Sequence, residues 1–314
     1  MVGERQVTSA ERAPEYRFKS GEQVGELLRA AGYLPDSKIA TVVHLGDRLG
    51  KPVLVEGPAG TGKTELAKAV AAITGARLIR LQCYEGMDEA KALYEWDYRK
   101  QLLAIQLHGA SQSQQEAGAA DARARLEGDL FSEDFLLARP LLEAIRATEP
   151  VVLLVDEVDR LDVEAEALLL EVLSDYQVSV PELGTVTARS VPLVFLTSNA
   201  SRELSEALKR RCLYLHIDYP SVEREREIIL ARVPGIAEAL AVQVAQVIRS
   251  LRMLDLKKKP SVSETLDWAR TLLVLGADGS GAIDADLLEQ TMPVLLKNQA
   301  DIEQALKKLG NPAP

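Results

Sequence analysis

The chain has 314 residues, of which 47% are hydrophobic and 27% charged, and its formal net charge at pH 7 is −10. The length allows one large or two ordinary domains, and the composition is typical of a globular protein. The negative charge repels polyanions on average and disfavours nucleic acid as the main partner, although a local basic strip could still bind it.

The cysteines and the apolar runs bear on where the protein works. Cys83 and Cys212 are too few for a disulfide scaffold, so we expect reduced thiols in a cytoplasmic protein. Residues 1–19 are charged and lack an apolar segment, so we expect no signal peptide. No apolar run approaches the roughly 20 residues that span a bilayer, so we also expect no membrane span.

The first third of the chain alternates helices with short apolar strands. Residues 1–22 are predicted to form a mobile arm, and the first helical pattern follows them. Asp36 opens a second helix with an apolar side that includes Ile39 and Val43. The next predicted elements are a strand at residues 53–55, a helix at 64–73 and a strand at 78–81.

The middle of the chain contains the most apolar strand. Residues 109–128 are rich in Ala, Ser, Gln and charge and are predicted to be a flexible insertion. A helix at 137–147 follows. Residues 151–155 are uniformly apolar, which is typical of a parallel strand covered by helices on both faces. The later elements are a helix capped by Asp162 that runs through residue 173, a hairpin at 176–187, and strands at 193–196 and 213–215.

Beyond Pro220 the pattern becomes purely helical. Ser261 and Glu264 form a possible capping box at the start of a helix that runs through residue 275. The fold class is therefore α/β. We expect a domain at residues 23–219 with a central parallel sheet flanked by helices, and then a small all-α domain at residues 220–314.

A glycine-rich loop lies between the first predicted strand and the helix after it. It matches the pattern G-x-x-x-x-G-K-[ST] in full, as Gly57-Pro58-Ala59-Gly60-Thr61-Gly62-Lys63-Thr64. Such a loop aims backbone N–H groups at phosphate oxygens, and the helix N-terminus adds partial positive charge. Lys63 would reach the β- and γ-phosphates of ATP, and the Thr64 hydroxyl would bind Mg²⁺. The alternative is a glycine-rich turn with a chance lysine.

Polar residues stand at the ends of two later apolar strands. Asp156 and Glu157 directly follow residues 151–155, where ligands bind in open α/β sheets. Asp156 would hold Mg²⁺, and Glu157 would orient the attacking water, unless both acids only cap the next helix. Asn199 ends the strand at 193–196 and could hold the lytic water or the γ-phosphate, although Asn commonly ends strands. Asp159 could equally have a surface or capping role.

A basic run precedes the last strand. Lys209, Arg210 and Arg211 are consecutive. An arginine supplied in cis or by a neighbouring subunit stabilises the charge that develops in phosphoryl transfer. The alternative is a solvated basic edge.

Together these residues resemble an AAA+ ATPase. Walker A would be residues 57–64, Walker B residues 151–157, sensor I Asn199, and the arginine finger Arg211 or Arg210. The hairpin before sensor I is similar to that of the MoxR, McrB, dynein and midasin branch. Residues 169–178 (LLEVLSDYQV) and 196–199 (LTSN) resemble MoxR-type ATPases. Residues 82–86 (QCYEG), 93–96 (LYEW) and 260–268 (PSVSETLDW) are most similar to the CoxD-like subgroup.

The resemblance implies a fold and a type of work. It implies an AAA+ P-loop NTPase domain followed by a helical lid, with ATP and Mg²⁺ as cofactors. Such ATPases usually form homo-oligomeric, hexameric rings in which the finger acts in trans. Many work beside a protein with a von Willebrand factor A domain and remodel, or insert metal centres into, a client metalloenzyme. CoxD-like members are associated with maturation of the copper–molybdenum site of carbon monoxide dehydrogenase.

One departure and several alternatives stay open. MoxR relatives place a sensor II arginine where this chain has Ser263 and Glu264, and Arg270, further into the same helix, is the alternative position for that role. We expect an ATP-hydrolysing chaperone. The alternatives are a nucleic-acid motor or loader and a scaffold that binds ATP without turning it over. Tyr33 could line the adenine pocket or simply pack, and Cys83 could touch a metal or simply fill the core.

Overall fold

A five-stranded parallel sheet organises the first two thirds of the chain. The computed structural model describes residues 16–111, 130–181, 183–277, 279–281 and 283–309, with the side chains of 107–111 left out. The strand order is β2-β5-β8-β1-β9, and every neighbouring pair is parallel. The strands are β1 Val53–Glu56, β2 Arg77–Gln82, β5 Val151–Asp156, β8 Leu193–Ser198 and β9 Leu213–His216.

Two short antiparallel pairs accompany this sheet. The first joins β3 Tyr94–Trp96 to β4 Leu136–Ala138. The second is the hairpin of β6 Gln177–Val180 and β7 Gly184–Thr187, which confirms the hairpin predicted at residues 176–187. It follows a helix that ends at Asp175, and the left-handed backbone of the next residue, Tyr176 (φ 49°), turns the chain into β6.

Helices cover both faces of the sheet and form the C-terminal unit. None of the described helices is long and apolar enough to cross a bilayer. Around the sheet lie α1 Gly21–Ala30, α2 Ser37–Leu49, α3 Lys63–Thr74, α4 Glu89–Ala92, α5 Tyr98–Ser111, α6 Pro140–Arg146, α7 Val163–Asp175 and α8 Glu206–Arg211. The C-terminal helices are α9 Val222–Arg232, α10 Glu238–Arg252, α11 Val262–Val274, α12 Ala285–Leu295 and α13 Gln299–Leu309.

The side chains of the uniformly apolar strands pack into two separate hydrophobic cores, one on each face of the sheet. Alternate residues such as Val152 and Leu154 pack with α1, α2 and α3 on one face. Their neighbours, such as Leu153 and Val155, pack with α6, α7 and α8 on the other. Because a fully buried aliphatic side chain contributes about 1.5–3 kcal/mol, the central strands are among the most stabilising elements of the fold. The predicted parallel sheet flanked by helices is confirmed.

Three predicted boundaries differ from the structure. Packing begins before residue 23, because Phe18 is buried and Arg17 forms an ion pair with Asp47 at 2.9 Å; residues 1–15 of the predicted arm lie outside the described residues. Helix α6 begins at Pro140 and not at residue 137, because residues 136–138 pair with β3. Helix α5 extends into the predicted insertion as far as Ser111, and residues 112–128 lie outside the description.

The C-terminal helices enclose a core of their own. Trp268 is fully buried, and its Nε1 donates to Thr291 Oγ1 at 2.8 Å. Arg252 forms a buried ion pair with Glu225, which also accepts a hydrogen bond from Thr265 Oγ1 at 2.8 Å. Between Pro220 and residue 309 the described chain contains helices and no strand, as predicted.

Candidate nucleotide site

The glycine-rich loop connects β1 to α3 at the carboxyl edge of the sheet. Gly57 N donates to Ser198 O at 3.2 Å, and a Cβ on Gly57 would lie 1.9 Å from Ile217 O. A side chain at Gly57 is therefore excluded by the neighbouring backbone. The loop ends where α3 begins at Lys63, so the first N–H groups of that helix face the loop.

Lys63 ties the loop to β8. Its Nζ donates to Gly57 O and Pro58 O, both at 2.7 Å, and to Asn199 Oδ1 at 2.9 Å. Burial lowers the pKa of Lys63, and the carboxylates of Asp159 and Asp156 oppose that shift. An ammonium group has three hydrogens, and all three are engaged here. A phosphate oxygen that binds Lys63 must therefore replace one of these acceptors.

Asp156 is the most heavily hydrogen-bonded carboxylate of the site. Its Oδ1 accepts from Thr64 Oγ1 at 3.0 Å and from Thr197 Oγ1 at 2.5 Å, and its Oδ2 accepts from Arg80 Nη2 at 2.6 Å. A hydroxyl from the first turn of the helix after the phosphate loop, together with a carboxylate from the end of a nearby strand, is the donor set that Mg²⁺ uses in P-loop proteins. Thr64 and Asp156 therefore fit this ion.

Glu157 has a strained backbone. It lies in the left-handed region (φ 59°, ψ 49°), and its N–H donates to Thr197 Oγ1 at 2.9 Å. Its carboxylate pairs with Arg160 Nε at 2.8 Å. Ala200, one residue beyond Asn199, also has positive φ (55°). Such conformations cost on the order of 1–3 kcal/mol and concentrate at functional sites.

Asp159 joins the two strand-end loops. Its Oδ2 accepts from Ser201 N at 3.0 Å and from Ser201 Oγ at 2.6 Å. Burial of Asp159 acts to raise its pKa, but hydrogen bonds from Ser201 and Asn199 outweigh it and hold the pKa below its usual range. Asp159 thus positions the loop that carries Asn199.

The basic run lies away from these contacts. Arg210 and Arg211 end α8 and are both exposed. Arg211 donates from Nε to Ser174 Oγ at 2.6 Å and from Nη1 to Ala207 O at 3.2 Å. Among the described residues, the Arg210 side chain has no hydrogen-bond or ion-pair partner. The structure brings Lys63, Thr64, Asp156 and Asn199 together, but it does not bring either arginine to them.

The C-terminal unit contacts the loop through the start of α11. Val262 N donates to Gly60 O at 3.0 Å, and the predicted capping box of Ser261 and Glu264 is present. A Cβ on Gly60 (φ +73°) would lie 2.3 Å from Ser261 Cβ. Arg270 instead pairs with Asp267 and reaches Arg232 O, and it makes no described contact with the loop.

Tyr33 lies beside the same loop. A Cβ on Gly62 would be 3.8 Å from Tyr33 Cε2, and burial raises the pKa of the Tyr33 phenol. This position is compatible with an adenine pocket and with plain packing.

Two contact residues were missed from sequence. Arg80 and Thr197 both bond Asp156. Thr197 immediately precedes Ser198 and Asn199, so its position at the strand end could have predicted a contact with the site. Arg80 becomes visible only through the pairing of β2 with β5.

The chain is similar to several known AAA proteins. A family model for the AAA domain of the dynein-related subfamily matches residues 52–212. The denitrification regulatory protein NirQ of Pseudomonas aeruginosa is 26% identical over 77% of this chain and 84% of its own length. The gas vesicle ATPase GvpN of Ancylobacter aquaticus is 28% identical over 85% and 70%. Protein NorQ of Paracoccus denitrificans is 23% identical over 88% and 92%. The chain therefore belongs to the dynein-related subfamily of AAA domains and is a MoxR-type AAA+ ATPase.

Proposed function

We propose that this ATPase is a chaperone that uses ATP hydrolysis to remodel a protein client during metalloenzyme maturation. The observation that carries the ATP-driven part is the convergence of Lys63, Asn199, Thr64 and Asp156 on one edge of the sheet. These four residues come from α3, β5 and the end of β8, so binding at the loop bears directly on three elements.

Each residue has a defined task in this proposal. The backbone of residues 57–64 cradles the phosphates, and Lys63 exchanges a carbonyl partner for a phosphate oxygen. Thr64 and Asp156 hold Mg²⁺, which neutralises phosphate charge when it is bound. Glu157 orients and polarises the attacking water, and Asn199 holds that water or the γ-phosphate.

A ring supplies the remaining cation. Arg210 and Arg211 are exposed at the end of α8 and do not contact the loop of their own chain. We infer that one of them enters the site of the next subunit as an arginine finger. A homo-oligomeric ring, expected to be a hexamer, meets that requirement, because each subunit gives a finger and receives one.

The client assignment rests on resemblance. The relatives include a denitrification regulatory protein and a gas vesicle ATPase, so ATPases of this type have more than one cellular role. The CoxD-like segments at residues 82–86, 93–96 and 260–268 favour a metal-centre client such as a carbon monoxide dehydrogenase-like molybdenum hydroxylase. We further propose a von Willebrand factor A domain partner and a cytoplasmic location.

Phosphate release tests the enzymatic part. With Mg²⁺ and ATP, wild-type protein should release phosphate, and Glu157→Gln should bind ATP while releasing phosphate about 10²–10⁴-fold more slowly, the range that a positioned acid–base group contributes. Glu164→Gln is the matched control, because Glu164 is an exposed acid in the first turn of α7. Equal rates in wild-type and Glu157→Gln protein would remove Glu157 from the mechanism.

Client capture tests the chaperone part. Tagged Glu157→Gln should retain client and partner proteins from cells of the source organism when ATP is present. Lys63→Ala, which cannot hold the phosphates, should lose them. Mass spectrometry should then find a metalloenzyme subunit enriched in the first sample over the second. Enrichment of nucleic acid, or of no protein, counts against a chaperone.

A further inference from the structure

Arg80 places a positive charge on the carboxylate assigned to Mg²⁺. Its Nη2 lies 2.6 Å from Asp156 Oδ2, with the Asp156 side chain 5% exposed and the Arg80 side chain 48% exposed. Arg80 comes from β2, at the edge of the sheet, where Gln82 is the residue in register with Asp156 on β5. The pairing of these two strands therefore brings the guanidinium to the strand end.

The two oxygens of Asp156 have different partners. The hydroxyls of Thr64 and Thr197 donate to Oδ1, whereas Oδ2 accepts from Arg80. Hydroxyl groups can rotate and offer a lone pair to a metal ion, but a guanidinium has no lone pair to offer. A divalent cation next to Oδ2 would also meet like charge. Arg80 and Mg²⁺ therefore compete for the negative charge of the Asp156 carboxylate.

Arg80 also has a position to which it can retreat. The same Nη2 donates to Gln82 Oε1 at 2.5 Å, two residues along the strand. Because its side chain is half-exposed and long, leaving Asp156 requires no backbone movement. Moving to Gln82 and solvent keeps the guanidinium hydrogen-bonded after the ion pair breaks.

We propose that Arg80 is a place-holding cation, which neutralises Asp156 before metal binding and is displaced when Mg²⁺ and nucleotide enter. This inference rests on the proposed role of Thr64 and Asp156 in holding Mg²⁺. Arg80 then sets the Mg²⁺ concentration at which nucleotide binding becomes tight. It is a positioning residue, because it acts on the site through Asp156.

The test measures Mg²⁺-dependent binding of a fluorescent ADP analogue, which needs no turnover. Arg80→Gln should lower the Mg²⁺ concentration at half-maximal binding by about fivefold, the change expected from loss of one competing, half-exposed ion pair. Arg80→Lys retains the charge and should stay close to wild type. Arg77→Gln is the matched control, because Arg77 lies on the same strand and is ion-paired with Glu143.

Two outcomes overturn the role of Arg80. An unchanged Mg²⁺ midpoint in Arg80→Gln means that the ion pair does not compete with the metal. Weaker binding of the analogue, both in Mg²⁺ and in EDTA, means that Arg80 binds nucleotide instead. Thermal unfolding of Arg80→Gln and Arg80→Lys confirms that both variants are folded before either curve is interpreted.

A separate variant tests the premise that nucleotide binds at this site, so that its failure can be told from failure of the role of Arg80. Lys63→Ala should abolish binding of the analogue. If wild-type protein does not bind the analogue, or if Lys63→Ala binds it as well as wild type, the proposed nucleotide site itself is wrong. If both behave as expected and Arg80→Gln does not shift the midpoint, only the place-holding role fails.

Discussion

Lys63 Nζ lies 2.9 Å from Asn199 Oδ1, so a direct side-chain hydrogen bond joins the phosphate loop to the end of β8. The two residues are separated by 136 positions in the chain. The bond holds the Asn199 amide at the site and gives the Lys63 ammonium a third acceptor beside Gly57 O and Pro58 O. Asn199 thus contacts Lys63 and is also proposed to hold the attacking water or the γ-phosphate, and mutations can separate these two functions.

Asn199→Ala and Asn199→Asp should fail in different ways. Asn199→Ala removes only one of the three acceptors of Lys63, so ATP binding should persist while kcat falls by about 10²–10³-fold, as for removal of one transition-state hydrogen bond. Asn199→Asp should hold Lys63 in an ion pair and repel the γ-phosphate, so affinity for ATP should fall more than affinity for ADP. Calorimetric titration with both nucleotides, together with steady-state kinetics, separates the two effects. Equal loss of ATP and ADP affinity in Asn199→Asp would contradict this role.

Arg210 is the better candidate for the finger. Arg211 is engaged by Ser174 and Ala207, whereas Arg210 has no described partner and can reach outward. Arg210→Ala should lower kcat by on the order of 10³-fold, and Arg211→Ala by much less. Mixing Arg210→Ala with Lys63→Ala subunits should restore part of the activity, because intact sites then receive intact fingers. No recovery on mixing would argue against action in trans.

Arg160 holds the side chain proposed to orient water. Its Nε lies 2.8 Å from Glu157 Oε2, and both side chains are partly exposed. Arg160→Ala should release the carboxylate and raise basal ATPase activity by up to about fivefold, since exposed ion pairs are worth at most about 1 kcal/mol. Arg146→Ala, which breaks a surface pair with Glu133, is the control. A fall in activity in Arg160→Ala alone would show instead that Arg160 supports Glu157.

Both cysteines should be unreactive in the folded protein. Burial, reinforced for Cys83 by nearby Asp156 and Asp159, raises the pKa of each thiol to about 12. At pH 8 a group with a raised pKa stays protonated, so alkylation by iodoacetamide should be at least about 10²-fold slower than in urea. Intact mass spectrometry over time gives both rates. Rapid labelling of Cys83 in the native protein would reopen a role in metal or sulfur transfer.

Gly60 should tolerate no side chain. Gly60→Ala would drive Cβ into Ser261, and we expect the free energy of unfolding to fall by about 1–3 kcal/mol more than in Gly50→Ala. Gly50 has a similar backbone (φ +58°), and no atom of the described residues lies within 4 Å of its Cβ position, so it isolates backbone strain from the clash. Urea unfolding measures both variants.

A double variant checks the source of the loss. Adding Ser261→Gly to Gly60→Ala should recover part of the stability, although loss of the cap itself costs about 1 kcal/mol. Strictly additive effects of the two substitutions would place the strain elsewhere.

Local signals explain what could be predicted from sequence. The phosphate loop, the strand at 151–155 and the capping box of Ser261 are each specified by neighbouring residues, and the structure contains them as expected. The predicted start of α6 is wrong because residues 136–138 form strand β4 only through their pairing with β3. In that pairing Trp96 lies opposite Leu136, which is 40 positions later in the chain. Apolar periodicity within residues 137–147 carries no trace of that pairing.

In the candidate site too, local motifs predict some residues, whereas others depend on contacts between distant parts of the chain. Lys63, Thr64 and Asp156 follow from motifs, because their spacing is set by one turn or one strand. Arg80 does not, since its contact depends on which strand lies beside β5 and in which register. Phe18 was likewise hidden, because an isolated aromatic in a polar segment becomes core only when α2 presents a pocket and Asp47 accepts its N–H.

The paired arginines have a kinetic consequence. A highly anionic nucleotide that diffuses toward two bare carboxylates would be slowed by their field, and more so at low ionic strength. Arg80 on Asp156 and Arg160 on Glu157 place a guanidinium against each of these two carboxylates and offset their charge. The association rate of the nucleotide should then depend only weakly on salt concentration. The negative charges of Asp156 and Glu157 act on the nucleotide only after the phosphates have bound.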